Sequence, residues 1–120
     1  MKDCQCGCKE IEGNNSCIPT KCVICEMSKV LKVLSDSTRL KILYSLLEGD
    51  KCVNSIQEDV NMSQSAVSHQ LRVLKDINLV RCIKSSNKVI YALADDHIKT
   101  ILEMVQEHIN EGENINAWNL

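Results

Sequence analysis

The chain has 120 residues, with 14 basic and 16 acidic side chains and a formal net charge of -2. This length is enough for one small core and too short for two domains joined by a linker. With no Phe, one Trp and two Tyr, the core has to be built from Leu, Ile, Val and Met, which argues against a large β-sandwich and favours packed helices.

The first part of the chain is predicted to be an arm followed by two helices. Residues 1–21 lack hydrophobic periodicity and are predicted to form a flexible, cysteine-rich arm. Apolar residues recur at helical spacing over residues 22–34, which predicts an amphipathic helix that lies against a partner surface. A second helix is expected to start at a cap formed by Asp36 or Ser37 and to stop at Gly49.

The middle of the chain is predicted to be two helices joined by a tight turn. A short helix fits residues 53–60, and Asn61 suits the turn because asparagine takes the left-handed backbone conformation at modest cost. Ser63 is predicted to cap a fourth helix that ends near Asn78. The apolar side chains of that helix are expected to point inward, and its polar side chains, Gln70 among them, to point outward.

A hairpin and a last helix are predicted to complete the fold. Two β-prone runs, residues 79–83 and 89–93, flank a polar tip of five residues, and no other sheet is expected. Asp95 is predicted to start the last helix and Gly112 to end it, which leaves residues 112–120 as a loose tail. The predicted fold class is therefore mainly α with a small β-hairpin.

Charge is divided unevenly along the sequence. Residues 63–91 carry five basic side chains against one acidic side chain, whereas residues 95–113 carry six acidic side chains against one basic. The small net charge therefore hides a basic segment. Such a segment is typical of a surface that contacts nucleic-acid phosphates.

The order helix, helix, helix-turn-helix, hairpin, helix is that of a winged-helix domain. The run MSQSAVSHQLRVLK at residues 62–75, with Leu-Lys-Ile-Leu at residues 40–43 and the hairpin downstream, resembles the ArsR/SmtB family of metal-responsive repressors. The likeness covers residues 27–111. It implies that residues 22–111 form a winged helix-turn-helix domain for DNA binding and dimerisation. It also implies a homodimer that reads a palindromic operator and controls genes for metal efflux or sequestration.

Eight polar or basic side chains are predicted to contact DNA. Small polar residues in the first turns of a recognition helix let it approach the major groove closely, and basic residues farther along or beside the wing tip suit phosphates. The first group is Gln64, Ser65, Ser68 and His69, and the second group is Arg72, Lys75, Lys84 and Lys88.

The last helix carries two pairs of metal ligands, Asp95-x-His97 near its start and His108-x-x-Glu111 near its end. His97 and His108 share a helix face but lie about 16 Å apart along the axis, so one ion cannot bind both. Two such helices running antiparallel about a two-fold axis would bring the pairs together, with ligands from both chains. Two imidazoles and two carboxylates suit Zn(II) or Co(II), and they match the last-helix site of the zinc-sensing members of the family that the sequence resembles. Zn(II) is therefore the predicted regulatory ligand.

The N-terminus has no signal-peptide run and no stretch approaches the roughly 20 apolar residues of a membrane span, so a cytoplasmic protein without membrane contact is expected.

The eight cysteines point to metal or thiol chemistry rather than to disulfides. Family members that bind Cd(II) or Pb(II) combine an arm with a Cys-x-Cys pair at the third helix. Here Cys52 matches the first cysteine and Asn54 replaces the second. A second metal site would therefore contain Cys52, and the sequence does not decide which other cysteines complete it. The candidates are Cys4, Cys6, Cys8, Cys17, Cys22 and Cys25.

Two other functions compete with a metal-responsive repressor. The same winged helix could be a thiol-redox sensor that switches by disulfide formation, which would leave the four ligands of the last helix unexplained. A metal-buffering protein could store ions in the arm, which would leave the basic segment unexplained. An enzyme is not expected, because four protein ligands would fill the zinc site and the sequence contains no nucleophile-base arrangement.

Cys82, in the first hairpin strand, is predicted to be a small buried hydrophobe.

Overall fold

The computed structural model describes residues 18–115, with side chains as far as residue 112. In this part of the chain the elements are α1 (Lys21–Leu34), α2 (Ser37–Leu47), β1 (Lys51–Cys52), α3 (Val53–Val60), α4 (Gln64–Asp76), β2 (Val80–Ser85), β3 (Lys88–Leu93) and α5 (Asp96–Ile115). This order confirms the predicted winged helix-turn-helix fold, with α3 and α4 as the helix-turn-helix and β2 and β3 as the wing. None of the helices in residues 18–115 combines the length and apolar character that a membrane span requires.

Helices α2, α3 and α4 pack around one apolar core. Six side chains in these helices are fully enclosed, namely Ile42, Leu43, Ile56, Val67, Leu71 and Leu74. Leu79 and Val80 at the base of the wing, and Ile98 and Leu102 of α5, extend the same cluster. Burying each Leu or Ile stabilises the fold by about 1.5–3 kcal/mol. The core therefore holds α4 firmly against the rest of the domain and leaves its other side available.

Short polar side chains start the helices at the predicted positions. Asp36, Ser63 and Asp95 each accept a hydrogen bond from a backbone N–H of the following first turn, at distances between 3.0 and 3.4 Å. The cap of α2 is therefore Asp36 and not Ser37. Each bond satisfies a donor that the helix itself leaves unpaired. The predicted end of α5 at Gly112 is wrong, because the helix continues to Ile115.

The turn between α3 and α4 is formed as predicted. Asn61 has φ 55° and ψ 52°, the left-handed conformation, and its N–H donates to the Gln57 carbonyl oxygen at 2.9 Å. The next residue, Met62, is half-buried against the core. The sharp reversal at Asn61 therefore allows α4 to begin directly after α3.

The wing is a longer hairpin than predicted. Strand β2 pairs antiparallel with β3 from Val80 opposite Leu93 to Ser85 opposite Lys88. Only two residues, Ser86 and Asn87, remain at the tip, and Ser86 has a positive φ of 51°. Lys84 and Lys88 therefore project from paired strands beside the tip rather than from a loose loop.

The sheet also has a third strand, so the expectation of a two-stranded hairpin alone is wrong. Lys51 pairs with Tyr91 and Cys52 with Ile90, which places β1 on the free edge of β3. A strand of two residues is too short to show the alternation that marks a strand in a sequence. Its position joins the base of the wing to the start of α3.

A polar cluster holds β1 against α2 and α3. The Lys51 Nζ lies 2.9 Å from a Glu48 carboxylate oxygen and also contacts the Asp59 carboxylate. The buried Ser45 hydroxyl donates to Asp59 Oδ2 at 2.6 Å. These bonds raise the pKa of Lys51 and lower the pKa of Asp59, with the Lys51–Asp59 hydrogen bond as the largest cause of both shifts. The cluster thus ties three elements together at the base of the wing.

We expect Asn61→Ala to lower the free energy of unfolding by about 1 kcal/mol, because alanine pays the steric cost of the left-handed conformation more fully than asparagine. Asn61→Gly should retain wild-type stability, since glycine adopts a positive φ without that cost. The measurement is urea unfolding at one fixed protein concentration.

Asn54→Ala is the matched control, because Asn54 is exposed within α3 and has no positive φ. It should leave stability unchanged or slightly higher. Equal stability of the Ala and Gly variants at residue 61 would contradict the proposed strain.

Candidate DNA interface and metal centre

The exposed side of α4 carries most of the predicted DNA contacts. Val67, Leu71 and Leu74 turn toward the core and are fully buried. The predicted contacts on this helix are all exposed, and they are Gln64, Ser65, Ser68, His69, Arg72 and Lys75. The small residues Ser65 and Ser68 stand in the first two turns, where a short side chain permits close approach to a groove of DNA.

A basic groove of about 460 Å³ separates α4 from the wing. Arg72 and Lys75 line it from α4, and Lys84 lines it from β2. Asp76 is the one acidic residue in its lining, so positive charge prevails there. Lys88 lies outside this lining, exposed at the start of β3. The structure therefore brings three of the four predicted phosphate contacts to one groove.

Cys82 lines this groove instead of being fully buried as predicted. It is half-buried and stands opposite Tyr91 in the β2–β3 pairing, and both residues belong to the groove lining. Burial raises the pKa of the Tyr91 hydroxyl, and the Cys82 thiol adds to this effect while Arg72 opposes it. The thiol and the phenol thus contribute a weakly polar part of the groove lining.

Gln70 is turned toward α2, contrary to its predicted outward orientation. It is half-buried, and its Oε1 accepts a hydrogen bond of 2.8 Å from the Arg39 Nε. Arg39 belongs to the first turn of α2 and had no predicted role. This bond joins α2 directly to the helix that carries the predicted DNA contacts.

The first pair of predicted metal ligands lies at the exposed start of α5. Asp95 Oδ1 accepts hydrogen bonds from the His97 and Ile98 backbone N–H groups at 3.0 and 3.4 Å. The same oxygen lies 3.4 Å from Nδ1 of His97, whose side chain is 88% exposed. Asp95 therefore acts as the helix cap, and its Oδ2 is not used in that cap.

The second pair lies farther along the same helix, and the two pairs do not meet within one chain. His108 and Glu111 are exposed and one turn apart, and eleven residues of helix, or about 16 Å, separate His108 from His97. In residues 18–112, no three His, Cys, Asp or Glu side chains come together in an arrangement that could hold a metal ion. A four-ligand site built from these residues therefore requires a second chain.

Three of the predicted cysteine ligands can be placed. Cys52 is the N-cap residue of α3, and its sulfur lies 3.5 Å from the Ser55 hydroxyl oxygen. The Ser55 hydroxyl and then its backbone N–H lower the pKa of the Cys52 thiol. Cys22 and Cys25 are half-buried one turn apart in α1, and the described structure does not bring them into one cluster with Cys52. The other predicted ligands lie outside the described residues, and they are Cys4, Cys6, Cys8 and Cys17.

Two helices keep large apolar side chains on the surface. On α1 they are Val23, Ile24, Met27 and Leu31, which are between 38% and 58% exposed. On α5 they are Ile101, Met104, Val105 and Ile109, which are between 40% and 58% exposed. Groups of this size on two helices exceed the scattered apolar residues of an ordinary surface.

Comparison with known proteins assigns the family. A profile of bacterial regulatory proteins of the ArsR family matches residues 36–81. A cadmium resistance transcriptional regulatory protein, a CadC homolog from Staphylococcus aureus, is 39% identical over 87 residues, which are 72% of this chain and 72% of that protein. The chain belongs to the ArsR family of bacterial regulatory proteins.

Two similar proteins with solved structures have the same fold. The crystal structure of the antimony-specific transcriptional repressor AntR gives a TM-score of 0.74 at 30% identity, covering 84% of this chain and 92% of that one. A homodimeric winged helix-turn-helix DNA-binding domain from Mycobacterium bovis gives 0.70 at 26% identity, covering 74% and 82%. As an ArsR-family protein the chain is a transcriptional regulator with a DNA-binding winged helix, and not an enzyme.

We expect Arg72→Ala and Lys84→Ala each to weaken binding to duplex DNA, and to do so almost equally for different sequences, because phosphates carry no sequence information. Each variant should also reduce the slope of log K against log salt concentration by about 1. Fluorescence anisotropy with labelled DNA over about 50–200 mM salt measures both effects.

The control variant is Lys29→Ala. Lys29 is exposed on α1, where it forms an ion pair of 3.3 Å with Glu26. Its removal should leave the salt slope at the wild-type value. An unchanged slope in Arg72→Ala or Lys84→Ala would mean that the basic groove does not contact phosphates.

Proposed function

We propose that this ArsR-family protein is a homodimeric repressor that binds palindromic operator DNA and is released when Zn(II) binds. The observation that supports this most directly is the placement of Asp95 and His97 at one end of an exposed helix and of His108 and Glu111 at the other. Similar proteins include regulators of cadmium resistance and of arsenical resistance, which supports a metal as the regulatory ligand. The regulated genes would then encode metal efflux or sequestration, and the protein would act in the cytoplasm, where operator DNA is present.

The exposed apolar faces of α1 and α5 support the dimer. Each square ångström of apolar surface removed from water contributes about 25 cal/mol, so covering both faces with a second copy would strongly favour association. The Mycobacterium bovis domain of the same fold is homodimeric. A two-fold axis beside α5 would set the start of one α5 against the end of the other.

This arrangement would complete two metal sites. Each would combine Asp95 and His97 of one chain with His108 and Glu111 of the other, a tetrahedral set that suits Zn(II). Asp95 would bind through Oδ2, because its Oδ1 is held by the helix cap. The cap thereby fixes the carboxylate before the ion arrives, which lowers the entropic cost of binding.

Metal ions differ in how well they fit these ligands. Co(II) suits the same nitrogen and oxygen donors, whereas Cd(II) and Pb(II) favour thiolates. The lowered pKa of Cys52 favours its thiolate form, the form that binds metals. We therefore assign Cd(II) or Pb(II), where they act, to a second site that includes Cys52 and sulfur atoms from the arm or α1.

An ion shared by two chains can change DNA affinity because it favours one relative arrangement of the chains. The two copies of α4 must match the spacing of the two operator half-sites. Zn(II) would select a dimer in which that spacing is unsuitable, and DNA would select the other arrangement. The ion and the operator would then weaken each other's binding by the same factor.

We expect His97→Ala and His108→Ala homodimers each to lose zinc-induced release from operator DNA. A mixed dimer with one chain of each type should recover one intact site, because His97 of one chain and His108 of the other are then both present. Operator binding with and without Zn(II) is measured by fluorescence anisotropy on differently tagged, co-purified chains.

His69→Ala is the matched control, since His69 is the one histidine of the chain outside the proposed site and is exposed on α4. It should keep the zinc response and lower only DNA affinity. A full zinc response in either single variant would refute the site. Failure of the mixed dimer to recover would refute its division between chains.

Titration with Co(II) tests which atoms bind the metal. The dimer should take up one ion per chain without the intense near-ultraviolet bands of thiolate-to-cobalt charge transfer. Cys52→Ser should leave this titration unchanged. Strong bands that disappear in Cys52→Ser would move the sensing site to the cysteines.

A thiol-redox repressor of the same fold is the second candidate, favoured by the lowered pKa of Cys52. In that case oxidant would release DNA from the His97→Ala and His108→Ala variants as fully as from the wild type. Membership of the ArsR family leaves a metal-buffering protein without a DNA role as the weaker alternative.

A further inference from the structure

Helix α5 is anchored to its own chain only along its first part. Ile98 and Leu102 are buried in the core. From residue 103 to residue 111 every side chain is exposed, including the apolar Val105 and Ile109. Beyond Leu102, the apolar side chains of α5 are therefore not covered by their own domain.

Tyr44 of α2 holds α5 at this point of departure. Its hydroxyl oxygen lies 3.0 Å from the Leu102 carbonyl oxygen and 3.0 Å from Gln106 Oε1, and these two acceptors share its one proton. The Leu102 carbonyl also accepts the helical bond from the Gln106 N–H, so the tyrosine uses its second lone pair. The contact joins the last buried turn of α5 to the first exposed one, and it therefore restrains the direction in which the free part projects.

The same helix, α2, also holds α4. Arg39 lies five residues before Tyr44, about 7.5 Å along the axis, and its Nε donates to Gln70 of α4 at 2.8 Å. Between them, Ile42 and Leu43 are fully buried, so α2 cannot rotate without disturbing the core. A tilt of α5 at Tyr44 would consequently reach α4 through a firmly packed helix.

We propose that Tyr44 is a positioning residue that transmits the direction of α5 to α4 through α2, and so sets how strongly metal binding weakens DNA binding. This inference rests on the proposed function. His97 lies before the Tyr44 contact and His108 lies after it. An ion that joins His97 of one chain to His108 of the other therefore applies its force across this contact.

The test is Tyr44→Phe, which removes the hydroxyl and keeps the ring that packs against the core. Operator affinity is measured with and without Zn(II), and the ratio of the two affinities expresses the coupling. We expect this ratio to fall about three- to tenfold, the value of one hydrogen bond. Zn(II) affinity of the free dimer and operator affinity of the metal-free dimer should each stay within about twofold of the wild type, because Tyr44 touches neither ligand.

Two further variants separate transmission from general loosening. Tyr91→Phe removes the other tyrosine hydroxyl of the chain, in the wing groove. Any change in operator affinity there should be equal with and without Zn(II), so the ratio should keep its wild-type value. Gln106→Ala removes one of the two acceptors at an exposed position that folding does not need, and should lower the ratio by a smaller factor. A ratio that is unchanged in Tyr44→Phe overturns the inference.

Amide hydrogen exchange of the metal-free protein tests the transmission without a metal. Tyr44→Phe should speed exchange in residues 103–111 and also in the first half of α4. Faster exchange confined to α5 overturns the link to α4. A wild-type dimer whose operator affinity ignores Zn(II) overturns the proposed function, and the regulatory role with it. A responsive wild type with an equally responsive Tyr44→Phe overturns only the inference about Tyr44.

Discussion

The apolar stripe of α5 is the constraint on which the rest of the molecule depends. One chain covers this stripe only as far as Leu102, and the residues beyond it present Val105 and Ile109 to solvent. A helix that exposes such a face is stable in water when another surface covers it. The proposed dimer, the division of the metal ligands between two chains and the restraint at Tyr44 all follow from a helix that one chain leaves half covered.

Helix α2 is short, but it contacts the core, α4 and α5. It contributes Ile42 and Leu43 to the enclosed core, Arg39 to a bond with α4 and Tyr44 to a bond with α5. The helix that carries the predicted DNA contacts and the proposed metal-binding helix are therefore attached to one element. A regulator that converts ion binding into a change of DNA affinity needs a packed element of this kind, since loops would absorb the displacement.

The parts of the fold that sequence reasoning predicted correctly are those with local signals. Asp95 and Ser63 precede periodic apolar runs, and Asn61 marks the turn, so caps and turn follow from a few adjacent residues. The hydrogen bonds Arg39–Gln70 and Tyr44–Leu102 join residues 31 and 58 positions apart, and no spacing rule connects them.

Strand β1 was missed because two residues show no alternation. Gly112 does not end α5, since one glycine costs a helix only about 1 kcal/mol. The predicted metal site needs a second chain, so the structure of one chain leaves it a prediction.

The cap at the start of α5 also affects how such a protein would change over generations. Asp95 closes the first turn of the helix whether or not an ion is bound, so selection for folding alone would preserve it. The side chain of His97 is 88% exposed, and little of the fold depends on it. A lineage that no longer encountered the metal would therefore lose the histidine by drift long before the aspartate. An aspartate retained at this position would then indicate that the helix needs its cap, and would not indicate that the protein still binds the ion.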